Sequence, residues 1–185
     1  IGVLMAVPPF VSQLNGAGRR AEVGALFRQA VWLALVLGVA LLLLVRQADW
    51  LLGAVGVADE VRPGAVSFLR AVSWGAPALA LFFCFRYLSD GIAWTVPTML
   101  FGFGGLLGLV PLGYAFMFGA LGLPEMGAAG LGYATALVLW GQAVGFLLYL
   151  RFSPRYTDLG LFDRLDPPRW APIGGLLWVG VPMGV

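Results

Sequence analysis

The sequence contains no histidine, no lysine and one cysteine among its 185 residues. Without histidine, a Ser-His-Asp triad and any imidazole metal site are impossible within the chain. Cys84 alone cannot close an intrachain disulfide or build a cysteine metal cluster. Charge is equally scarce: 11% of residues are charged, against roughly 25% in a typical soluble domain. That is too little to coat a water-facing surface, so a soluble enzyme is excluded. A disordered chain is excluded as well, because it requires low hydrophobicity, whereas this one is 61% hydrophobic with a mean hydropathy of +0.92. The net charge of +2 is too small to suggest nucleic acid as a partner. All eleven basic residues are arginine, a bias read most simply as codon usage.

What remains is apolar sequence in long runs, rich in glycine and aromatics. The chain therefore reads as an all-α, polytopic helical membrane protein. It starts at Ile1 and stops at Val185 inside apolar runs, and is read as an internal piece of a longer protein. Residues 1–18 lack a basic leading region and resemble the end of a span more than a signal peptide.

A spanning helix needs about 20 mostly apolar residues. The charged residues divide the chain accordingly. Residues 1–14 end one span; residues 30–45 form an apolar core extended at both ends; residues 49–63 read as a loop with a short apolar insert. Residues 65–88 form the next span. The uncharged run 91–124 would reach about 50 Å as one helix against a core of roughly 30 Å. It is therefore divided into a helix over 96–118 and a Gly/Pro-rich turn over 119–124. Residues 126–150 form another span, 151–169 a charged connector, and 170–185 the start of a further span. Segments 18–28, 86–90 and 151–169 together carry eight arginines, and the alternate segments 46–70 and 119–125 carry three. With four complete spans these sets fall on opposite faces, and the arginine-rich face is expected to be cytoplasmic. The pairs Gly104/Gly108 and Gly141/Gly145 are spaced four apart, where small residues let helices approach.

The stretch Pro9-Phe10-Val11-Ser12-Gln13-Leu14-Asn15-Gly16-Ala17-Gly18-Arg19-Arg20 resembles the end of the second helix and following loop of MATE transporters, the multidrug and toxic compound extrusion family. The resemblance continues in order. Phe27-Arg28-Gln29-Ala30 is similar to the start of the third helix. Phe68-Leu69-Arg70-Ala71 and Gly75-Ala76-Pro77 are similar to the fourth, Arg86 through Asp90-Gly91 and Pro97-Thr98-Met99 to its end and the start of the fifth. Pro111-Leu112-Gly113-Tyr114 resembles the fifth, Gly130-Leu131-Gly132-Tyr133-Ala134-Thr135 the sixth, and Gly180-Val181-Pro182 the seventh. Each motif is weak alone; their order along the chain is specific and closest to the NorM-like branch. The resemblance implies a twelve-helix antiporter of two six-helix lobes. Residues 1–150 would be most of the first lobe, 151–169 the cytoplasmic connector, and 170–185 the opening of the second. It implies export of cationic or amphipathic organic compounds in exchange for Na⁺ or H⁺, with no other cofactor, in the bacterial inner membrane.

Ionisable side chains at membrane depth are costly and mark functional sites, and this chain offers few. Arg86 and Asp90, four apart at a helix end, are expected to pair at the cytoplasmic edge, with a gating role as the alternative. The resemblance implies polar residues at two positions of the fifth helix that here are Leu109 and Gly113, neither with a side-chain oxygen. The ion site of this lobe is therefore altered, and coupling is expected to rest on the second lobe of the full-length chain. Three polar residues are candidates to line the transport cavity: Thr135, Tyr114 and Gln142. Thr135 alternatively bonds back to its own helix, and Tyr114 and Gln142 alternatively bond to a neighbouring helix. Pro111 and Pro77 are candidate kinks. Trp32, Trp140, Phe82 and Phe83 are read as cavity wall or lipid contact, and Trp50, Trp94 and Trp170 as interfacial anchors. Gln29 reads as part of a helix start.

The resulting expectation is a multidrug antiporter and not an enzyme, touching membrane lipid and small organic cations. A flippase for lipid-linked oligosaccharides would line its cavity with several cations, whereas nearly all arginines here sit at span ends. A non-transporting membrane subunit is the remaining alternative.

Overall fold

The computed structural model describes residues 2–122, 124–163 and 166–184, apart from the side chains of Leu121, Trp170–172 and 181–184. Among the described residues there are eight α-helices. They are α1 (Val7–Gly16), α2 (Arg20–Arg46), α3 (Ala48–Val55), α4 (Arg62–Ser73), α5 (Ala76–Gly91), α6 (Val96–Phe118), α7 (Gly127–Phe152) and α8 (Trp170–Gly184). Short 3₁₀ turns cover Gly2–Ala6, Ala120–Gly122 and Pro154–Leu159. Helices α2, α6 and α7 are each long and apolar enough to span a membrane.

Helix α6 begins one residue before Pro97 and stops where Gly119 takes a left-handed conformation at φ 69°. Both signals were legible: proline fits a first helical turn, and glycine ends a helix without a Cβ penalty. The run 65–88 differs from its expectation. It is not one helix but α4 and α5, bent by 51° at Trp74 and Gly75. Pro77 stands in the first turn of α5 and has no N–H to bond the carbonyl of Ser73, so the helical ladder is interrupted there. Trp140 Nε1 on α7 donates to the Trp74 carbonyl at 3.0 Å, satisfying a backbone group at the elbow. Gly75 is required by close approach: a Cβ there would lie 2.7 Å from Leu139 Cδ1 and 3.0 Å from Ala136 Cα. The segment 49–63 also contains more than a loop with an apolar insert, since α3 occupies most of its first half. Arg62 donates to Asp49, with 3.0 Å between Nη2 and Oδ1, and closes the return into α4.

The core is assembled around Phe146 of α7, which is fully buried. Its ring meets Phe82 and Phe85 of α5 edge-on at 5.9 and 6.1 Å, and stacks on Phe101 of α6 at 5.2 Å. Phe27 of α2 reaches Phe85 at 5.9 Å. One aromatic cluster therefore joins four helices, and aromatic pairs of this geometry add about 0.5–1.5 kcal/mol each beyond burial. Lipid is as apolar as these side chains, so close packing rather than water exclusion holds such helices together.

The charged segments gather at the two ends of the bundle. Arg20 at the start of α2 lies 3.8 Å from Asp158, Arg155 stacks 3.6 Å over Trp94, and Ser89 of α5 hydrogen-bonds Tyr156 at 2.9 Å. At the other end Arg46 lies 4.5 Å over the ring of Trp74.

Candidate functional site

Helices α6 and α7 run antiparallel in close contact, and Thr135, Tyr114, Gln142 and Pro111 lie along this pair, while Pro77, Arg86 and Asp90 lie on α5. The close approaches are made by Gly105, Gly130 and Gly145. A Cβ on Gly145 would lie 2.8 Å from Phe101 Cε1, one on Gly130 would strike the Phe116 carbonyl, and one on Gly105 would strike the Gln142 amide. Of the four glycines singled out by their spacing, Gly145 makes such an approach and the other three do not. Gly104 and Gly141 have nothing within 4 Å of a Cβ, and Gly108 has only Val138 Cγ2 at 4.0 Å. On α6 the contact falls on Gly105, one residue around from the spaced pair, whereas on α7 it falls on Gly145 of the pair.

Gln142 Nε2 donates to the Phe101 carbonyl at 2.7 Å, so this candidate is engaged across the helix pair. Thr135 Oγ1 donates to the Leu131 carbonyl at 2.8 Å, four residues back in its own helix. Tyr114 is 62% exposed and packs against Phe118 with ring centroids 5.1 Å apart. Gly113 is buried beneath Leu131, whose Cδ1 would lie 3.2 Å from an added Cβ. Pro111 sits in the interior of α6, which continues through it as one helix. At Pro77, by contrast, the chain is broken into two helices bent by 51°. Arg86 Nε lies 3.5 Å from Asp90 Oδ2 at the end of α5, and Phe83 flanks the guanidinium at 5.9 Å.

Apolar cavities open between the helices. One of about 390 Å³ is lined by Phe27, Val31, Trp32, Leu81, Phe85 and Leu147, with Asp166 at its rim. Another of about 430 Å³ lies along α6 and α7, lined by Phe116, Met126, Tyr133, Leu137 and Trp140. Trp32 and Trp140 each line one of these openings and are 41% exposed, whereas Phe82 is buried in the core. Trp50 is 70% exposed, as an interfacial side chain would be, and the Trp170 side chain lies outside the described residues. Among the described residues no cluster of three acidic or cysteine side chains is arranged to hold a metal ion.

Sequence reasoning missed the residues that bind the connector. Arg28, Gln29 and Trp32 of α2 all bond to the 160–169 stretch. The available signal was Arg28 beside Gln29, set against the acidic, proline-bearing sequence Asp163 to Pro168.

Residues 1–115 match the family model MatE. Across its full length the chain is 52% identical to the probable multidrug resistance protein NorM of Xanthomonas campestris pv. campestris, and covers 40% of it. It is 35% identical to the multidrug resistance protein NorM of Aliivibrio fischeri, again over the whole chain and 40% of that protein. The chain thus spans about two fifths of the length of the curated relatives it matches. Among solved structures, its fold matches a MATE family multidrug transporter of the MOP superfamily facing inward, with a TM-score of 0.84 at 21% identity. An outward-facing conformation matches with a TM-score of 0.82 at 22% identity. Each comparison covers 99% of this chain and about two fifths of the other, 41% and 40% respectively. The ordered helices, the broken span and the family match agree, and this all-helical membrane chain belongs to the MATE transporter family.

Proposed function

We propose that the chain is part of a secondary antiporter of the bacterial inner membrane that exports cationic or amphipathic organic compounds in exchange for Na⁺ or H⁺. The observation that carries this reading is the 52% identity, along the whole chain, to a protein whose name assigns it to multidrug resistance. Residues 1–150 are most of the first lobe, 151–169 the cytoplasmic connector and 170–185 the start of the second lobe. The mechanism is alternating access between two lobes, in which ligand and ion each favour one arrangement by binding it more tightly. The near-equal match to inward-facing and outward-facing relatives supports a first lobe that keeps its own fold through the cycle.

The site residues divide by what already engages them. Gln142 is held by Phe101 and serves to fix α6 on α7, and Thr135 is bonded within its helix. Tyr114, on the open face of α6, is the candidate left to meet a transported compound. With Leu109 and Gly113 at the polar positions of relatives, the acid that couples transport to the ion lies elsewhere in the full-length protein. The test is ethidium efflux from cells expressing the full-length parent, with the Na⁺ and proton gradients collapsed separately. Efflux lost with one gradient is expected and names the ion. A well-expressed parent with no efflux under either gradient refutes drug antiport.

A further inference from the structure

We propose that Arg28, Gln29 and Trp32 form a clasp that fastens the connector and the first turn of α8 to α2, so that this stretch moves as part of the first lobe. The motion in that statement rests on the alternating-access reading; the anchoring does not.

One guanidinium bonds both Gly160 and Asp166. Arg28 Nη1 donates to the Gly160 carbonyl at 2.6 Å. Its Nε and Nη2 each lie 2.7 Å from Asp166 Oδ2. The two side chains are 15% and 22% exposed, so water competes weakly for this pair. One residue on, Gln29 is 3% exposed and has both ends of its amide engaged by backbone. Nε2 donates to the Pro167 carbonyl at 3.1 Å, and Oε1 accepts from the Arg169 N–H at 2.7 Å. Arg169 is the residue whose carbonyl accepts the first α8 bond, from Ile173 N–H at 3.4 Å. Trp32 Nε1, one turn further along α2, donates to the Asp166 carbonyl at 3.0 Å.

The backbone also packs closely at Leu159 and Gly160. Gly24, one turn before Arg28, is so close to the loop that an added Cβ would collide with the Leu159 and Gly160 carbonyls. Pro167 and Pro168 are stiff and lack N–H groups, and the Pro167 carbonyl finds its donor in Gln29. A tether that must flex between two lobes does not need a buried amide matched to two backbone groups beside a bridging guanidinium. A segment built into one lobe does.

The experiment uses the full-length parent in lipid nanodiscs, freed of native cysteines, with spin labels at the exposed positions Ala40 and Asp163. A second labelled pair spans the two lobes. Distances are measured by double electron–electron resonance at high Na⁺, at low pH, and with ethidium. The Ala40/Asp163 distance is expected to stay a single narrow peak under all three conditions while the cross-lobe distance shifts. Gln29→Leu combined with Arg28→Met broadens the peak. Arg28→Asp broadens it too, and adding Asp166→Arg restores it. A broad or condition-dependent Ala40/Asp163 distance in the parent overturns the clasp, as does a peak indifferent to these substitutions. A cross-lobe distance that never moves, with a narrow clasp distance, refutes alternating access and leaves the anchoring standing.

Discussion

The packing of α4 on α7 can be tested at Gly132. A Cβ there would lie 2.7 Å from Ala71 Cβ, 2.7 Å from the Phe68 carbonyl oxygen and 3.1 Å from Val72 N. Carbon contacts are comfortable at about 3.5–4.0 Å, so Gly132→Ala forces α4 back by roughly 1 Å. Two of the three obstructing atoms belong to backbone, which no rotamer change removes. Overpacking costs about 1–3 kcal/mol, and a clash with backbone puts this site in the upper half, about 2–3 kcal/mol. Alanine recovers up to about 1 kcal/mol of helix propensity, leaving an expected net loss of about 1–2 kcal/mol. Thermal unfolding of the full-length protein in detergent micelles reads this as a lower midpoint. Gly102→Ala, where nothing lies within 4 Å, supplies the control and is expected to keep or raise the parent's midpoint, since it gains the propensity without the clash. Adding Ala71→Gly to Gly132→Ala should recover part of the loss, since the Phe68 carbonyl still obstructs. A Gly132→Ala protein as stable as its parent would refute the close-packed α4/α7 contact.

Two further substitutions separate structural from transport roles. Thr135→Val keeps the side-chain shape and removes a hydroxyl already bonded to Leu131; ethidium efflux by the full-length protein is expected to stay close to the parent rate, and abolished efflux would show that the hydroxyl serves the transported ion or water. Burial raises the Tyr156 phenol to about 12, an effect partly offset by its hydrogen bond to Ser89. The folded protein thus holds that proton where the unfolded chain, titrating near 10, has released it, so Tyr156 contributes a loss of stability as pH rises from about 10 to 12 and none at neutral pH. Unfolding midpoints across that range should fall less steeply in Tyr156→Phe, and equal slopes would exclude the effect.

The span over 96–118 was legible to the residue because its limits are local chemistry, Pro97 at one end and Gly119 at the other. The elbow before Pro77 was only half legible. Hydropathy sums apolar side chains and is blind to a missing backbone bond, so 65–88 read as continuous although its proline marked the weak point. The glycine contacts were legible at Gly145 and not at Gly104, Gly108 or Gly141: which glycine faces a helix depends on the rotation of both partners, which spacing within one helix does not encode. Gln29 was read as local helix structure, while its partners lie 138 and 140 residues along the chain. Pairings at that separation are set by where the connector folds back, a property of the assembled bundle.

The elbow also has a consequence for membrane thickness. Residues 62–91 laid out as one straight helix would extend about 45 Å, some 15 Å beyond a typical hydrocarbon core. Bent by 51°, with α5 upright, the twelve residues of α4 contribute only about 11 Å of depth to the roughly 24 Å of α5. The segment then reaches about 35 Å, close to the thickness it must match. The proline break therefore acts as a length adjustment, laying the helix that carries Arg62 and Arg70 obliquely near one surface instead of projecting it out of the bilayer.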